Sequence, residues 1–121
     1  MKKINVLVYG TLKKGFPNHH LLRDAEYVSP AEIKRFKMHD LGPYPAVRFT
    51  GDSMDRVIGE LYRVTSVELE QLDYLEGHPE YYTRIPVPLG DDSGTMAWMY
   101  TMDDVRKYKA IEDGVWTKNH N

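Results

Sequence analysis

The chain has 121 residues, 41% of them hydrophobic and 28% charged, with a formal net charge of −2 from 16 basic and 18 acidic side chains. This length and composition predict one domain, residues 1–121, with its own hydrophobic core. The balanced charge disfavours a nucleic-acid partner, and no stretch is apolar enough for a membrane span. Cysteine is absent, which excludes thiol catalysis, disulfides and cysteine-bound zinc. With no signal-peptide pattern, a cytoplasmic location is expected.

The first predicted element is a strand from Ile4 to Val8, because β-branched residues dominate it and Gly10 ends it. The loop that follows, Tyr9-Gly10-Thr11-Leu12, combines a glycine with a hydroxyl side chain. Such a loop can present main-chain N–H groups to a small anion such as a carboxylate. The alternative is an ordinary turn after a strand, and these residues alone leave both interpretations open. The glycine pattern of a phosphate-binding loop is absent.

The middle of the chain predicts several short elements. Residues 17–25 suit one or two helical turns with Leu21 and Leu22 on the buried side. Two strands are predicted between Tyr27 and Asp40, one of them from Ile33 to His39. Two prolines make a rigid turn of residues 41–45, and strands at 46–50 and 57–64 follow.

One α-helix is predicted, from Thr65 to Leu75. Thr65 and Glu68 have the spacing of a capping box, and Gly77 supplies the C-terminal stop. Leucines at 69, 72 and 75 form its apolar face.

Two further strands are predicted at residues 81–89 and 95–101, joined by a turn at residues 90–94. The second strand is apolar on both faces, which is typical of a central strand. The elements together predict an α+β domain, mostly β, with strand pairings that close toward a barrel.

Glu76 is the candidate for acid–base chemistry. It lies at the end of the predicted helix, where the helix dipole disfavours a carboxylate, and partial burial would raise its pKa further. A carboxyl group tuned in this way suits a general base near neutral pH. The alternative is a solvated residue beside a helix cap. Asp73 fits a solvated helix residue, Arg84 fits an ion pair with an acidic residue on a sheet face, and Tyr44 could close a pocket or simply pack.

The histidines do not have the spacing of a metal site. His19 and His20 are adjacent, and the other three are scattered through the chain. No pair lies four residues apart on a helix, so we predict no zinc site and no other metal.

Several short motifs, in order, resemble the gamma-glutamylcyclotransferase-like superfamily. They are Tyr-Gly-Thr-Leu at 9–12, Gly-Pro-Tyr-Pro-Ala at 42–46, Gly-Glu-Leu-Tyr at 59–62, Leu-Asp-Tyr-Leu-Glu-Gly at 72–77 and Tyr-Thr-Arg at 82–84. Gly15 and the Pro-Asn-His run at 17–19 are most similar to the gamma-glutamylamine cyclotransferase branch. The resemblance runs from Val8 to about Tyr100.

This resemblance implies a small mixed β-barrel with flanking short helices. It implies that the loop of Tyr9, Gly10, Thr11 and Leu12 binds the amino-acid head of a small gamma-glutamyl substrate, and that Glu76 is the catalytic acid/base. The implied enzyme is a cyclising transferase or amine lyase that releases 5-oxoproline and a free amine. It needs no cofactor, and we expect a monomer or a homodimer. The alternative is a non-catalytic protein of the same fold that binds a small ligand or a partner.

Overall fold

The computed structural model describes residues 2–90 and 94–117, which form eight β-strands, one α-helix and a short 3-10 helix. The elements in chain order are β1 (Ile4–Val8), the 3-10 helix (His19–Leu22), β2 (Glu26–Lys34), β3 (Phe36–Asp40), β4 (Pro45–Phe49), β5 (Arg56–Val64), α1 (Ser66–Glu76), β6 (Thr83–Pro88), β7 (Met96–Thr101) and β8 (Lys109–Ile111). No helix among the described residues has the length and apolar character needed to cross a bilayer.

The strands form two sheets. The larger has the order β2-β5-β1-β7-β6, in which β1 and β7 run parallel and the other neighbours antiparallel. The smaller has the antiparallel order β4-β3-β8. The predicted α+β class is confirmed, and β7 is an interior strand as its apolar faces indicated. The predicted barrel does not close over the described residues, because β2 and β6 remain edges of the larger sheet.

Arg35 separates the two sheets. Its φ of 76° lies in the left-handed region, which ends β2 and redirects the chain into β3. Its main chain is fixed there, since its N–H donates to Asp55 and its carbonyl accepts from Thr50. The predicted continuous strand from Ile33 to His39 is therefore wrong, because it spans this break.

Helix α1 begins and ends where its sequence predicted. The Thr65 side chain accepts from the N–H of Glu68, and the Glu68 carboxylate accepts from the N–H of Thr65. At the other end Gly77 has a φ of 67°, and its N–H bonds back to the last turn. Leu69 and Leu72 are buried, but the third predicted core leucine, Leu75, is 40% exposed.

The segment after β7 contributes three side chains to the hydrophobic core. Val105, Ile111 and Trp116 are buried, and β8 pairs with β3 although the sequence did not predict it. The predicted turn at residues 90–94 lies mostly outside the described residues.

Candidate active site

A cavity of about 530 Å³ lies at the end of β1, where four parts of the chain meet. They are the loop after β1, the turn before β4, the end of α1 with the segment that follows it, and strand β7. The lining side chains are largely apolar or aromatic. Those discussed below are Tyr9, Gly10, Thr11, Leu12, Asn18, Tyr44, Pro45, Leu75, Glu76, Tyr81, Tyr82 and Tyr100. The structure thus brings the predicted loop and Glu76 together in one cavity.

The loop after β1 is held in shape by its own hydrogen bonds. The N–H of Lys13 donates to the Gly10 carbonyl at 3.0 Å, and the N–H of Asn18 donates to the Thr11 carbonyl at 2.9 Å. The Asn18 side-chain amide also donates to Thr11 Oγ1 at 2.9 Å. His19 Nδ1 lies 2.9 Å from the Leu12 carbonyl. These hydrogen bonds fix the shape of the loop.

The main-chain N–H groups of this loop remain available. Those of Gly10, Thr11 and Leu12 donate no hydrogen bond to any described residue, and all three residues line the cavity. Neighbouring free N–H groups on a fixed loop form a concavity suited to a carboxylate or an oxyanion. The anion-binding role of this loop stays a prediction.

Gly10 has a steric reason to be glycine. A Cβ atom there would lie 2.8 Å from Cγ of Pro45 and 2.9 Å from its Cδ, which is too close for an unstrained contact. Pro45 is the first residue of β4. The missing side chain therefore lets the smaller sheet approach the loop and close one wall of the cavity.

Glu76 is the last residue of α1, half-buried in the cavity wall. No described residue donates a hydrogen bond to its carboxylate. Burial raises the pKa of Glu76 to about 7 from an ordinary value of 4.5. The side chain therefore exchanges a proton near neutral pH.

Asp73, one turn earlier on the same helix, is in the opposite situation. Arg84 donates to both of its oxygens, at 2.8 and 3.2 Å, and the Tyr100 hydroxyl donates at 2.7 Å. Burial acts to raise the pKa of Asp73, but the bonds from Arg84 and Tyr100 outweigh it and hold that pKa below the ordinary value. The prediction of a solvated Asp73 is wrong, because strand β7 brings the Tyr100 hydroxyl to it.

Arg84 does form an ion pair, as the sequence indicated, but its partner is on the helix rather than on the sheet. The guanidinium also lies over the Trp98 ring, 4.4 Å from its centre. Arg84 is not among the residues that line the cavity. It is committed to Asp73 and is not placed to meet a substrate carboxylate.

Tyrosine side chains form much of the remaining cavity wall. The Tyr9 hydroxyl donates to the Tyr100 carbonyl at 2.7 Å, and the Tyr82 hydroxyl donates to the Pro45 carbonyl at 2.7 Å. Burial raises the pKa of both Tyr9 and Tyr82. These hydroxyls stay protonated near neutral pH, which leaves Glu76 as the lining carboxylate that can exchange a proton there.

Two further tyrosines that line the cavity contact each other. The hydroxyls of Tyr44 and Tyr81 lie 2.7 Å apart and form a hydrogen bond. This hydrogen bond is the larger cause, and burial the second, of the rise in the pKa of Tyr44 to about 12. The sequence allowed Tyr44 a pocket role, but it did not indicate Tyr81 or Tyr100. Those residues are far from the loop in sequence: the pairing of β7 with β1 brings Tyr100 to the cavity, and the segment between α1 and β6 brings Tyr81.

No histidine of the described residues lines the cavity. His78 Nδ1 accepts from the N–H of Arg84 at 3.2 Å, and His39 Nδ1 lies 2.8 Å from the Tyr108 carbonyl. Within residues 2–90 and 94–117, no three histidine or acidic side chains converge in a way that could hold a metal ion.

Residues 6–118 match the family model described as "Gamma-glutamyl cyclotransferase, AIG2-like". The chain belongs to this family. The match covers every residue of the cavity wall, and it confirms the superfamily that the motifs indicated.

Named relatives agree with this assignment. The chain is 33% identical over 117 residues to the gamma-glutamylcyclotransferase family protein YtfP of Escherichia coli, covering 93% of this chain and 96% of that one. It is 36% identical over 104 residues to gamma-glutamylaminecyclotransferase C of Danio rerio, and the match covers 74% of this chain and 64% of that one. The crystal structure of an aig2-like protein from Mus musculus superposes with a TM-score of 0.74 at 26% identity. The superposition covers 84% of this chain and 78% of that one.

Proposed function

We propose that this protein is a γ-glutamyl cyclotransferase that converts a γ-glutamyl amine into 5-oxoproline and a free amine. Family membership supports a cyclotransferase activity at the level of the family. The observation that carries the proposal is the half-buried Glu76, without a hydrogen-bond partner among the described residues. It lines the same cavity as residues 10–12, whose main-chain N–H groups donate no hydrogen bond to a described residue.

The proposed reaction is intramolecular. The α-amine of the γ-glutamyl group attacks the γ-carbonyl carbon, a five-membered ring forms, and the bond from that carbon to the leaving nitrogen breaks. One proton leaves the attacking nitrogen and one is gained by the departing nitrogen, so the reaction balances without a cofactor. Because substrate and nucleophile are one molecule, the protein's main task is to hold the folded conformation in which amine and carbonyl meet.

In this proposal the loop after β1 binds the substrate's anionic groups. The N–H groups of Gly10, Thr11 and Leu12 face the α-carboxylate or the oxygen that becomes negative during attack. The buried Tyr9 ring fixes the start of this loop through its bond to Tyr100. Neither lysine nor arginine lines the described cavity wall, so main-chain donors are the groups proposed to bind the negative charge.

Glu76 is proposed to move the proton. With a pKa near 7 it can accept a proton from the substrate's amine and pass it to the leaving nitrogen in the same cavity. The ammonium of the bound substrate favours the ionised carboxylate and lowers this pKa in the complex. A single carboxyl group can thus serve as base and then as acid.

The leaving group is proposed to be an amine rather than the α-amino group of an amino acid. The relative from Danio rerio carries the name gamma-glutamylaminecyclotransferase, and the run of Gly15 with Pro17-Asn18-His19 resembles that branch. Asn18 also holds the loop in its shape, through two bonds to Thr11.

The experiment is to incubate the full chain with γ-glutamyl amines and γ-glutamyl amino acids and to measure 5-oxoproline by mass spectrometry. We expect turnover of the amines, and a loss of about 10²-fold or more in the Glu76→Gln variant. For the wild-type protein kcat/KM should rise with pH through about 7, the pKa of Glu76 in the free protein. Binding of 5-oxoproline without any turnover would instead favour the non-catalytic alternative.

A further inference from the structure

Lys13 closes the loop after β1, but it is not part of the cavity wall. It follows Leu12 directly, and its main-chain N–H donates to the Gly10 carbonyl at 3.0 Å. The residue is only 9% exposed, although a lysine is rarely buried unless its ammonium group has partners. Nothing in the proposed cyclisation uses this buried ammonium group.

The Lys13 ammonium group joins the loop to a distant part of the chain. Its Nζ donates to the main-chain carbonyl of Trp116 at 2.7 Å, across 103 positions of sequence. The Phe16 ring lies 5.1 Å from Nζ, close enough for a cation–π contact. Burial lowers the pKa of Lys13, and the negative charge of Glu60 on β5 opposes this shift.

The carbonyl that Lys13 binds belongs to a C-terminal segment, residues 114–116, that is itself fixed against β5. The N–H of Ile58 donates to the Gly114 carbonyl at 2.9 Å. A Cβ atom at Gly114 would overlap the main chain of β5, so the two are in close contact. The Trp116 side chain is buried in the hydrophobic core. The Lys13 ammonium group is therefore bonded to a firmly packed support.

We infer that Lys13 is a positioning residue, which holds the turn of residues 10–13 in the shape that directs its main-chain N–H groups at an anion. The bond from Lys13 to Gly10 spans this turn, so a shift of Lys13 would also reorient the N–H groups of Thr11 and Leu12. Donors that are fixed in advance bind more tightly, because less conformational freedom is lost on binding. This inference rests on the proposed function, since it concerns the same loop and the same ligand.

The test replaces the ammonium group with an uncharged side chain of similar length, in the variant Lys13→Met. We expect the Kd for 5-oxoproline, measured by calorimetry, and the KM for a γ-glutamyl amine to rise about tenfold, the scale of one hydrogen bond. The pH midpoint of kcat/KM should stay near 7, because Glu76 is unchanged. The matched control is Lys14→Met, the same change at an exposed side chain, which should leave the Kd and KM unchanged.

A role of Lys13 in stability alone would give a different result. If Lys13→Met only unfolds a fraction of the protein, calorimetry will show a lower binding stoichiometry at an unchanged Kd. The variant Lys13→Arg keeps a cation that can donate to the Trp116 carbonyl, so it should recover most of the affinity that Lys13→Met loses.

The wild-type protein allows a second measurement, which stands even if Lys13→Met does not fold. Coupling between two sites is reciprocal, so a ligand on the loop must also stabilise the segment that supports it. We expect 5-oxoproline to slow amide hydrogen exchange in residues 114–117 as well as in the loop. Residues 50–55, which lie between β4 and β5 and do not line the cavity, serve as the internal control.

The outcomes separate this inference from the function on which it rests. If the wild-type protein neither binds 5-oxoproline nor releases it from any γ-glutamyl substrate, the proposed function fails, and this inference fails with it. If the wild-type protein is active, an equal Kd for wild type, Lys13→Met and Lys14→Met overturns the positioning role alone. Protection of the loop without protection of residues 114–117, or a loss of stoichiometry at an unchanged Kd, also overturns it.

Discussion

The proposed role of Glu76 has a thermodynamic cost that can be measured without any substrate. A carboxyl group with a raised pKa prefers its protonated form in the folded protein. Between an ordinary pKa of 4.5 and the folded value of about 7, the folded chain binds more protons than the unfolded chain. The free energy of unfolding therefore falls as the pH rises through this range, and the penalty is complete above pH 7.

Replacing Glu76 with glutamine should remove this penalty, because the amide resembles the protonated acid in size and polarity. A pKa difference from 4.5 to about 7 corresponds to about 3 kcal/mol at 1.36 kcal/mol per pH unit. The Glu76→Gln variant should therefore match the wild-type protein in stability near pH 4. At pH 8 it should be more stable by about 3 kcal/mol, or roughly 12 °C in Tm for a chain of this length.

The assay is urea or thermal unfolding of both proteins from pH 4 to pH 9, followed by circular dichroism. Glu112→Gln serves as the control for removing one negative charge from the surface, since it eliminates an exposed carboxylate. A stability difference between Glu76→Gln and wild type that does not change with pH would refute the reasoning, because it would mean that Glu76 titrates as an ordinary carboxylate. Loss of turnover together with gained stability is the combination expected of a functional group held in an unfavourable place.

Two further substitutions test the neighbours of Glu76. Gly10→Val should destabilise the fold by about 1–3 kcal/mol, because the valine side chain would overlap Pro45. The same substitution should abolish the binding of 5-oxoproline, measured by calorimetry. Unchanged binding would contradict the assignment of the loop as a binding site. Asp73→Asn should cost about 2 kcal/mol at pH 7, because it weakens the bonds from Arg84 and Tyr100. This cost should shrink as the pH falls below the ordinary pKa of 3.8, because Asp73 then binds a proton in the unfolded chain before it does so in the folded chain. Unfolding curves at pH 7 and pH 3 decide this, and an equal cost at both would mean that the charge of Asp73 contributes nothing.

The sequence predicted the local features of this fold well, because short-range physics fixes them. The helix from Ser66 to Glu76 follows from its capping box and Gly77, and the strand from Ile4 to Val8 follows from its β-branched residues. The assignment of Glu76 as the candidate acid/base followed from its position at a helix end and from the superfamily motifs.

Features that depend on distant contacts could not be predicted in this way. Arg35 carries no sequence signal for its left-handed φ, so the break between the two sheets was missed. Strand β8 is only three residues long, too short for its sequence to show a detectable alternation, and its partner β3 is far away in the chain. Tyr100 reaches the cavity because β7 runs beside β1, and a pairing of strands so far apart in sequence cannot be derived from spacing.

Asp73 and Glu76 lie within one turn of the same helix, yet their pKa values are shifted in opposite directions. Both side chains belong to α1 and both are partly buried, so burial raises the pKa of each. Asp73 also receives bonds from Arg84 and Tyr100, which stabilise its charge and make it a structural anchor for the end of the helix. Glu76 receives none from the described residues, and in the proposed mechanism the ammonium of the substrate stabilises its charge. Asp73 thus fixes the end of the helix on which Glu76 lies and leaves the raised pKa of Glu76 unchanged, as the proposed proton transfer by Glu76 requires.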